Sequence, residues 1–340
     1  MSEAQRSEQE GDIREVANES PATERVVQEP RTAPPSRSPT DERADPWFGI
    51  YLPQLRMPFE RILERTLAAE AAGFDSIWLM DHFVAPRAPE VDTLEGFTVA
   101  TALAAHTSTI RIGHLVLCDP FRHPVLLAKM AASLDVVSGG RLELGIGWGS
   151  VPDELEMFGF GPEPAVVRAA KLRESIEILR LMFAGEPFDY DGAHYRLRRA
   201  IGRPVPAQSH VPIHIGGGGP KRTMPLVAEF ADWWNCPGYA LDRLDELRPL
   251  AGNARISTQH PVGLAPDAAS RDDVTAQVHK RFGTWGGVVA GTADEVADAL
   301  AAEAGRGVDG FVLQFSDFGT PDTAHRFMSE VAPRVRASRT

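Results

Sequence analysis

Cysteine is almost missing from this sequence. Cys118 and Cys236 are the only two in 340 residues, and they form no CxxC pair. Neither a disulfide framework nor a structural zinc site is expected, and a reducing compartment, the cytoplasm, fits. Long hydrophobic runs are missing as well. No stretch approaches the roughly 20 apolar residues of a spanning helix, and the opening MSEAQRSEQEGD is acidic, without the apolar segment of a secretory signal. Positive charge is in deficit: 35 Lys and Arg face 47 Asp and Glu, a formal net charge of −12. That balance argues against a nucleic-acid or anionic-membrane partner, yet it allows a local basic pocket for a phosphate. Aromatic residues are absent from residues 1–45, which are rich in Glu, Arg, Ser and Pro. Such a segment cannot bury enough apolar surface to offset its ordering entropy. A disordered tail is expected over 1–45 and one folded domain over 46–340.

From Trp47 onward the texture changes to an alternation of apolar runs and amphipathic stretches. WFGIYL and SIWLM are apolar on both faces, as suits parallel strands covered on both sides. Between them PFERILERTLAAEAAG places Phe59, Ile62, Leu63 and Leu67 at helical spacing, with Pro58 near its start and Gly73 after its end. IRIGHLVLC, RLELGIGWG, VPIHIGG, DWWN, HPVGLAP and GFVLQFSD read as further strands. PVLLAKMAASLDVVSGG, VVRAAKLRESIEILRLMFAG, PKRTMPLVAEFA, LDRLDELRPLA and TADEVADALAAEAGRG read as helices. Eight strands alternating with helices over about 290 residues make an α/β chain of the (β/α)8 TIM-barrel type with short insertions. An open doubly wound sheet usually has fewer strands and carries its Gly-rich turn first. Residues 186–199 break the rhythm and read as an inserted hairpin that turns at Asp191–Gly192.

In such barrels chemistry sits where strands end. The second strand ends in Asp81 and His82, the third in CDPFRHP, and the fourth in GIGWGS with Gly145, Gly147, Trp148 and Ser150. The fifth ends in Gly216, Gly217, Gly218 and Gly219, and the sixth in Trp233, Trp234 and Asn235. His82 can exchange a proton near neutral pH, whereas an ordinary Asp stays ionised. His114, inside the third strand, reads as structural. The four glycines let backbone N–H groups approach a ligand. Pro220 reads as the first residue of a helix whose N-terminus attracts phosphate, and Lys221 and Arg222 add full charges. This turn lacks the GxxxxGK[ST] spacing, and GIGWGS lacks a sixth-place glycine, so neither is a standard nucleotide fingerprint. Metal binding is not expected: Asp81, His82, His123 and His214 could meet in space, but nothing like HExxH occurs. Phe83, Trp148, Phe158 and Trp234 read either as an apolar or aromatic-lined mouth or as core.

The blocks GFDSIWLMDHF, FRHPVLLAKMAASLDVVSGGRLELGIGWG, PIHIGGGGPKRTMPLVAEFADWWN and GTADEVADALAAEAGRGVDGFVLQFSD resemble the bacterial-luciferase-like flavin and deazaflavin oxidoreductases over roughly residues 47–325. The DHF after the second strand is similar to the branch that uses coenzyme F420, an 8-hydroxy-5-deazaflavin. The resemblance implies that His82 lies beside the ring's redox face, with Asp81 supporting the site. It implies a non-prolyl cis peptide at Leu115–Val116 that props the ring. It also implies that Gly145 and Gly147 leave room beside the ring, and that Gly216–Gly219 lie near the phosphate-bearing chain. In sugar-phosphate dehydrogenases of the family, a Glu on the fourth-strand loop donates a proton. Ser150 stands at that position, and Pro86 stands where those enzymes carry an aromatic residue four after the His. Sugar-phosphate oxidation is therefore not expected. The expected activity is hydride transfer between F420 and a small organic substrate, with His82 handling the proton. The alternative is an FMNH2-dependent monooxygenase served by a separate flavin reductase. Relatives of this kind often pair, so a homodimer is expected.

Overall fold

The computed structural model describes residues 45–339 except Arg87. The tail expected over 1–45 lies, apart from Asp45, outside the described residues. Eight parallel strands close on themselves. They are β1 (Trp47–Tyr51), β2 (Ser76–Leu79), β3 (Arg111–His114), β4 (Leu142–Gly147), β5 (Ile213–Gly216), β6 (Trp233–Cys236), β7 (Arg255–Leu264) and β8 (Gly310–Phe315). Each pairs with the next, and β8 returns to β1 with Trp47 opposite Gly310. This is a TIM barrel.

Outward-facing residues such as Phe48, Ile50, Ile77, Leu79, Ile112, Leu144, Ile215 and Leu313 form one core with the helices. Burying each large side chain contributes about 1.5–3 kcal/mol. α1 (Phe59–Ala72) buries Ile62, Thr66 and Ala69 and ends at Gly73 in a left-handed conformation. Leu67, expected on the core face, is instead 40% exposed, while the Thr66 hydroxyl donates to the Ile62 carbonyl and so tolerates burial. α3 (Pro124–Ser138) opens on a proline and stops at left-handed Gly139. α5 (Ala165–Ala184) precedes the hairpin Phe188–Asp191 and Arg196–Ala200, whose turn is clamped by the Glu174 carboxylate on the Ala193, His194 and Tyr195 amides. α7 (Leu244–Leu247) is a single short turn, and α9 (Ala293–Gly305) starts with a Thr292–Glu295 capping box.

Three helices escaped the sequence pattern: α2 (Gly96–His106), α4 (Pro152–Met157) and α8 (Arg271–Phe282). α2 is apolar almost throughout, α4 has six residues, and α8 is mostly polar, so none shows a clean helical stripe. β7 is also longer than HPVGLAP. Pro261 lies beyond its pairing with β6, which ends at Thr258, so that ladder loses no donor.

The interior of the barrel is blocked at the strand N-termini. Trp47 stacks on Trp78, His214 stacks on Trp233 at 5.7 Å, and the Arg255 guanidinium sits 4.3 Å from the Trp233 ring. Buried Glu143 joins Arg111 to His214, which it meets at 2.7 Å. With that end packed, the C-terminal strand ends are the face left for a ligand.

Candidate active site

His82 leaves the end of β2 with its Nδ1 2.6 Å from an Oε of Glu154. Glu154 is a buried residue of α4, the short helix after β4. The other carboxylate oxygen accepts from the Phe83 amide at 2.7 Å and, more weakly, from Val84. A carboxylate accepts and does not donate, so Nδ1 carries the proton and Nε2 is the ring atom left for chemistry. His82 keeps 23% of its side chain exposed. Sequence reading missed Glu154, which lies 72 residues from its histidine in no recognisable motif.

Asp81 points the other way, into a fork. Arg122 donates to both of its oxygens at 2.7 and 2.8 Å, and the Cys118 amide donates at 2.8 Å. Arg122 also binds Glu95 at 2.7 Å, and Glu95 caps α2 through the Phe97 and Thr98 amides. Burial would push the Glu95 carboxyl up, but the Thr98 and Phe97 contacts and Arg122 hold it down. Burial would likewise lower Arg122, and Asp81 and Glu95 together push it up. Asp81 thus ties the loops after β2 and β3 together.

The predicted third strand, IRIGHLVLC, is two pieces, β3 and Leu117–Cys118, parted by a cis Leu115–Val116 peptide. The break sets Val116 across the strand ends. A Cβ on Gly147 would come 2.8 Å from Val116, and one on Gly145 would come 1.9 Å from the His114 carbonyl. Gly145 and Gly147 therefore admit the β3 break itself, and Val116 occupies the space they leave.

The glycine turn follows β5, three strands from β2, or about 14 Å around the wall at ~4.8 Å per strand. The Gly217 amide donates to Asn235, and the Trp234 indole donates to the Gly217 carbonyl at 2.8 Å. One expectation is corrected here, and one open alternative is decided. Pro220 does not open the helix: Pro220–Arg222 is a turn, and α6 (Thr223–Phe230) begins where the Thr223 and Met224 amides reach the Gly219 carbonyl. Trp234 does not line the mouth. Alternation along β6 turns it outward into the core, fully buried, where it braces the glycine turn. Lys221 and Arg222 are exposed, and no ion pair holds either among the described residues. The amides of Gly219, Lys221 and Arg222 also have no hydrogen-bond partner among the described residues. Trp148 spans from the fourth-strand end to this turn, its indole 3.4 Å from the Thr223 hydroxyl and its ring under Arg168.

The other histidines lie elsewhere. His214 is in the barrel interior with Glu143, His123 caps α3 and meets the Tyr195 ring, and His114 stacks on Phe97 with burial holding its pKa down. Asp81, His82, His123 and His214 do not converge. No group of three or more His, Cys, Asp or Glu able to hold a metal is present among the described residues.

Comparison with known proteins places this architecture. The family described as luciferase-like monooxygenase matches residues 35–251. The chain belongs to that family. Relatives named F420-dependent glucose-6-phosphate dehydrogenase are similar to it. The one from Microbacterium testaceum is 36% identical over 67% of this chain and 65% of its own length. The one from Mycolicibacterium fortuitum is 33% identical over 50% and 49% respectively. The chain spans about half the length of the curated relatives it matches first. A solved F420-dependent secondary alcohol dehydrogenase shares the fold, with a TM-score of 0.71 at 20% identity, covering 86% of this chain and 100% of that one. The donor set fits an anionic redox cofactor of the kind this family holds. Amides and two cations without partners among the described residues sit at one strand end, and an oriented imidazole sits three strands away. No described helix is long and apolar enough to cross a membrane.

Proposed function

We propose that this chain is an F420-dependent oxidoreductase that transfers a hydride between the deazaflavin and a small organic substrate. The observation that supports the reading is the Glu154–His82 contact, which engages one imidazole nitrogen and leaves the other without a partner among the described residues. When bound, the deazaflavin supplies a carbon, C5, that takes or gives a hydride. His82 Nε2 holds and moves the proton that accompanies hydride transfer at a substrate oxygen. Glu154 keeps the ring in one tautomer, and Asp81 with Arg122 fixes the loop beneath it. Val116 backs the ring system. Gly216–Gly219 with Lys221 and Arg222 hold the phosphate-bearing chain.

The names of the relatives support the cofactor. Their substrate is not carried over, because Ser150 and Pro86 stand where the sugar-phosphate enzymes of the resemblance carry an acid and an aromatic residue. The free thiols of Cys118 and Cys236 support a cytoplasmic setting. A homodimer is part of the same proposal and rests on the resemblance alone. A separate reductase belongs to the FMN alternative.

Titrating purified apoprotein with F420 and with FMN tests the cofactor. Saturable binding of F420 at concentrations where FMN does not bind is expected. Binding of FMN alone would overturn the reading.

A further inference from the structure

Four phenylalanines gather beside His82. Phe83 meets Phe121 at 4.3 Å between ring centroids, Phe158 at 5.1 Å and Phe160 at 5.9 Å, and Phe121 meets Phe160 at 5.3 Å. They come from the loops after β2, β3 and β4. Phe121 is buried, but Phe83 is 37% exposed and Phe158 42%. Single exposed rings are ordinary, whereas a joined cluster of them marks a binding surface. The cluster is fixed in register with the imidazole. Phe83 follows His82 by one Cα step of about 3.8 Å, and one Glu154 carboxylate holds both the His82 ring and the Phe83 amide. There is room beside it: Phe160 also faces a cavity of about 440 Å³ whose other lining residues include Pro120, Pro162, Tyr195 and the charged pair Glu163 and Lys171, a size suited to small molecules.

Among the described residues, the charges around this wall are paired off. Arg122 gives its amino groups to Asp81 and Glu95, and Lys171 at the cavity is paired with Glu163. Among the described residues, a phosphorylated sugar would find ring faces there and no free cation. We propose that the wall seats a flat, apolar ring, so that the substrate of the proposed hydride transfer is an aryl compound. This inference rests on that proposal for calling the occupant a substrate.

The test uses the full chain with 2-acetylnaphthalene and glucose 6-phosphate, with F420 binding measured in the same samples. Saturable binding of 2-acetylnaphthalene is expected. Phe83→Ser and Phe158→Ser should each weaken it about 5-fold, the scale of one lost ring contact with its buried area, while F420 affinity stays within about 2-fold. Should Phe83→Ser fail to fold, Phe158→Ser, on the exposed rim, carries the test. Absence of 2-acetylnaphthalene binding, equal binding by the wild type and both variants, or preference for glucose 6-phosphate would overturn the inference. F420 binding without 2-acetylnaphthalene binding removes the aryl site and leaves the hydride-transfer reading standing. Ring binding that depends on Phe83 and Phe158, without F420 binding, does the reverse.

Discussion

His82 and Asp81 stood out in the sequence because an apolar run that stops on two titratable side chains at a strand end is unusual. The partners each of them meets were not legible. Asp81 binds Arg122 and the Cys118 amide, partners 41 and 37 residues away, and Glu154 reaches His82 across 72 residues. Sequence spacing encodes neither meeting. Two predictions belong to these residues. His82→Ala keeps F420 binding and loses most turnover, about 10²–10⁴-fold as for a lost acid–base group; unchanged turnover would remove His82 from the mechanism. Glu154→Gln keeps the fold and F420 affinity but lowers kcat by about 10-fold and moves the pH profile, since the amide no longer fixes one tautomer. A third prediction concerns Asp119, buried between β3 and α5 with its Oδ1 unpartnered among the described residues. Burial pushes its pKa up to about 7, against the pull of the Ser175 hydroxyl and Lys171. A raised carboxyl pKa makes ionisation costly to the fold, so the penalty is absent below about pH 4 and complete above about pH 7. Asp119→Asn should therefore raise the melting temperature at pH 8 and not at pH 4. An equal shift at both would show that the carboxyl does not titrate as described.

Elements bounded by proline and glycine were the easiest to read: α1 and α3 begin and end where Pro58, Gly73, Pro124 and Gly139 place them. The same signal misled at Pro220. The left-handed Gly217 and the Gly219 carbonyl, which accepts two amides, delay α6 to Thr223. The delay presents Lys221 and Arg222 on a turn instead of a helix. The Lys221→Ala/Arg222→Ala double variant should bind F420 about 10-fold more weakly and with less salt dependence, because two screened charges are lost. Equal affinity at low salt would place the cofactor's phosphate elsewhere. The third strand carried no visible mark of its break. Only the resemblance indicated where the cis peptide falls.

At the scale of the molecule, the eight-strand count and the parallel order were readable from apolar runs alone, since a strand covered on both faces has no polar period. The contents of the barrel were not. Trp47, Trp78, Trp233, His214, Glu143 and Arg111 meet only once the sheet closes. Burial alone would raise the Glu143 carboxyl, yet Arg111 and His214 outweigh it and hold it at about 2. A depressed carboxyl contributes stability that is present above about pH 4.5 and is lost as pH falls toward 2. Acid unfolding of the wild type should therefore be steep between pH 4.5 and 2, and Glu143→Gln should flatten it. His82 and the glycine turn must reach opposite parts of one bound molecule for the proposed reaction to work. The most direct measurement is a crystal structure of the chain with F420. It is predicted to show His82 Nε2 beside the deazaflavin ring and the phosphate within hydrogen-bond reach of the Gly216–Arg222 backbone. A ring bound away from His82, or a phosphate held by another strand end, would contradict it.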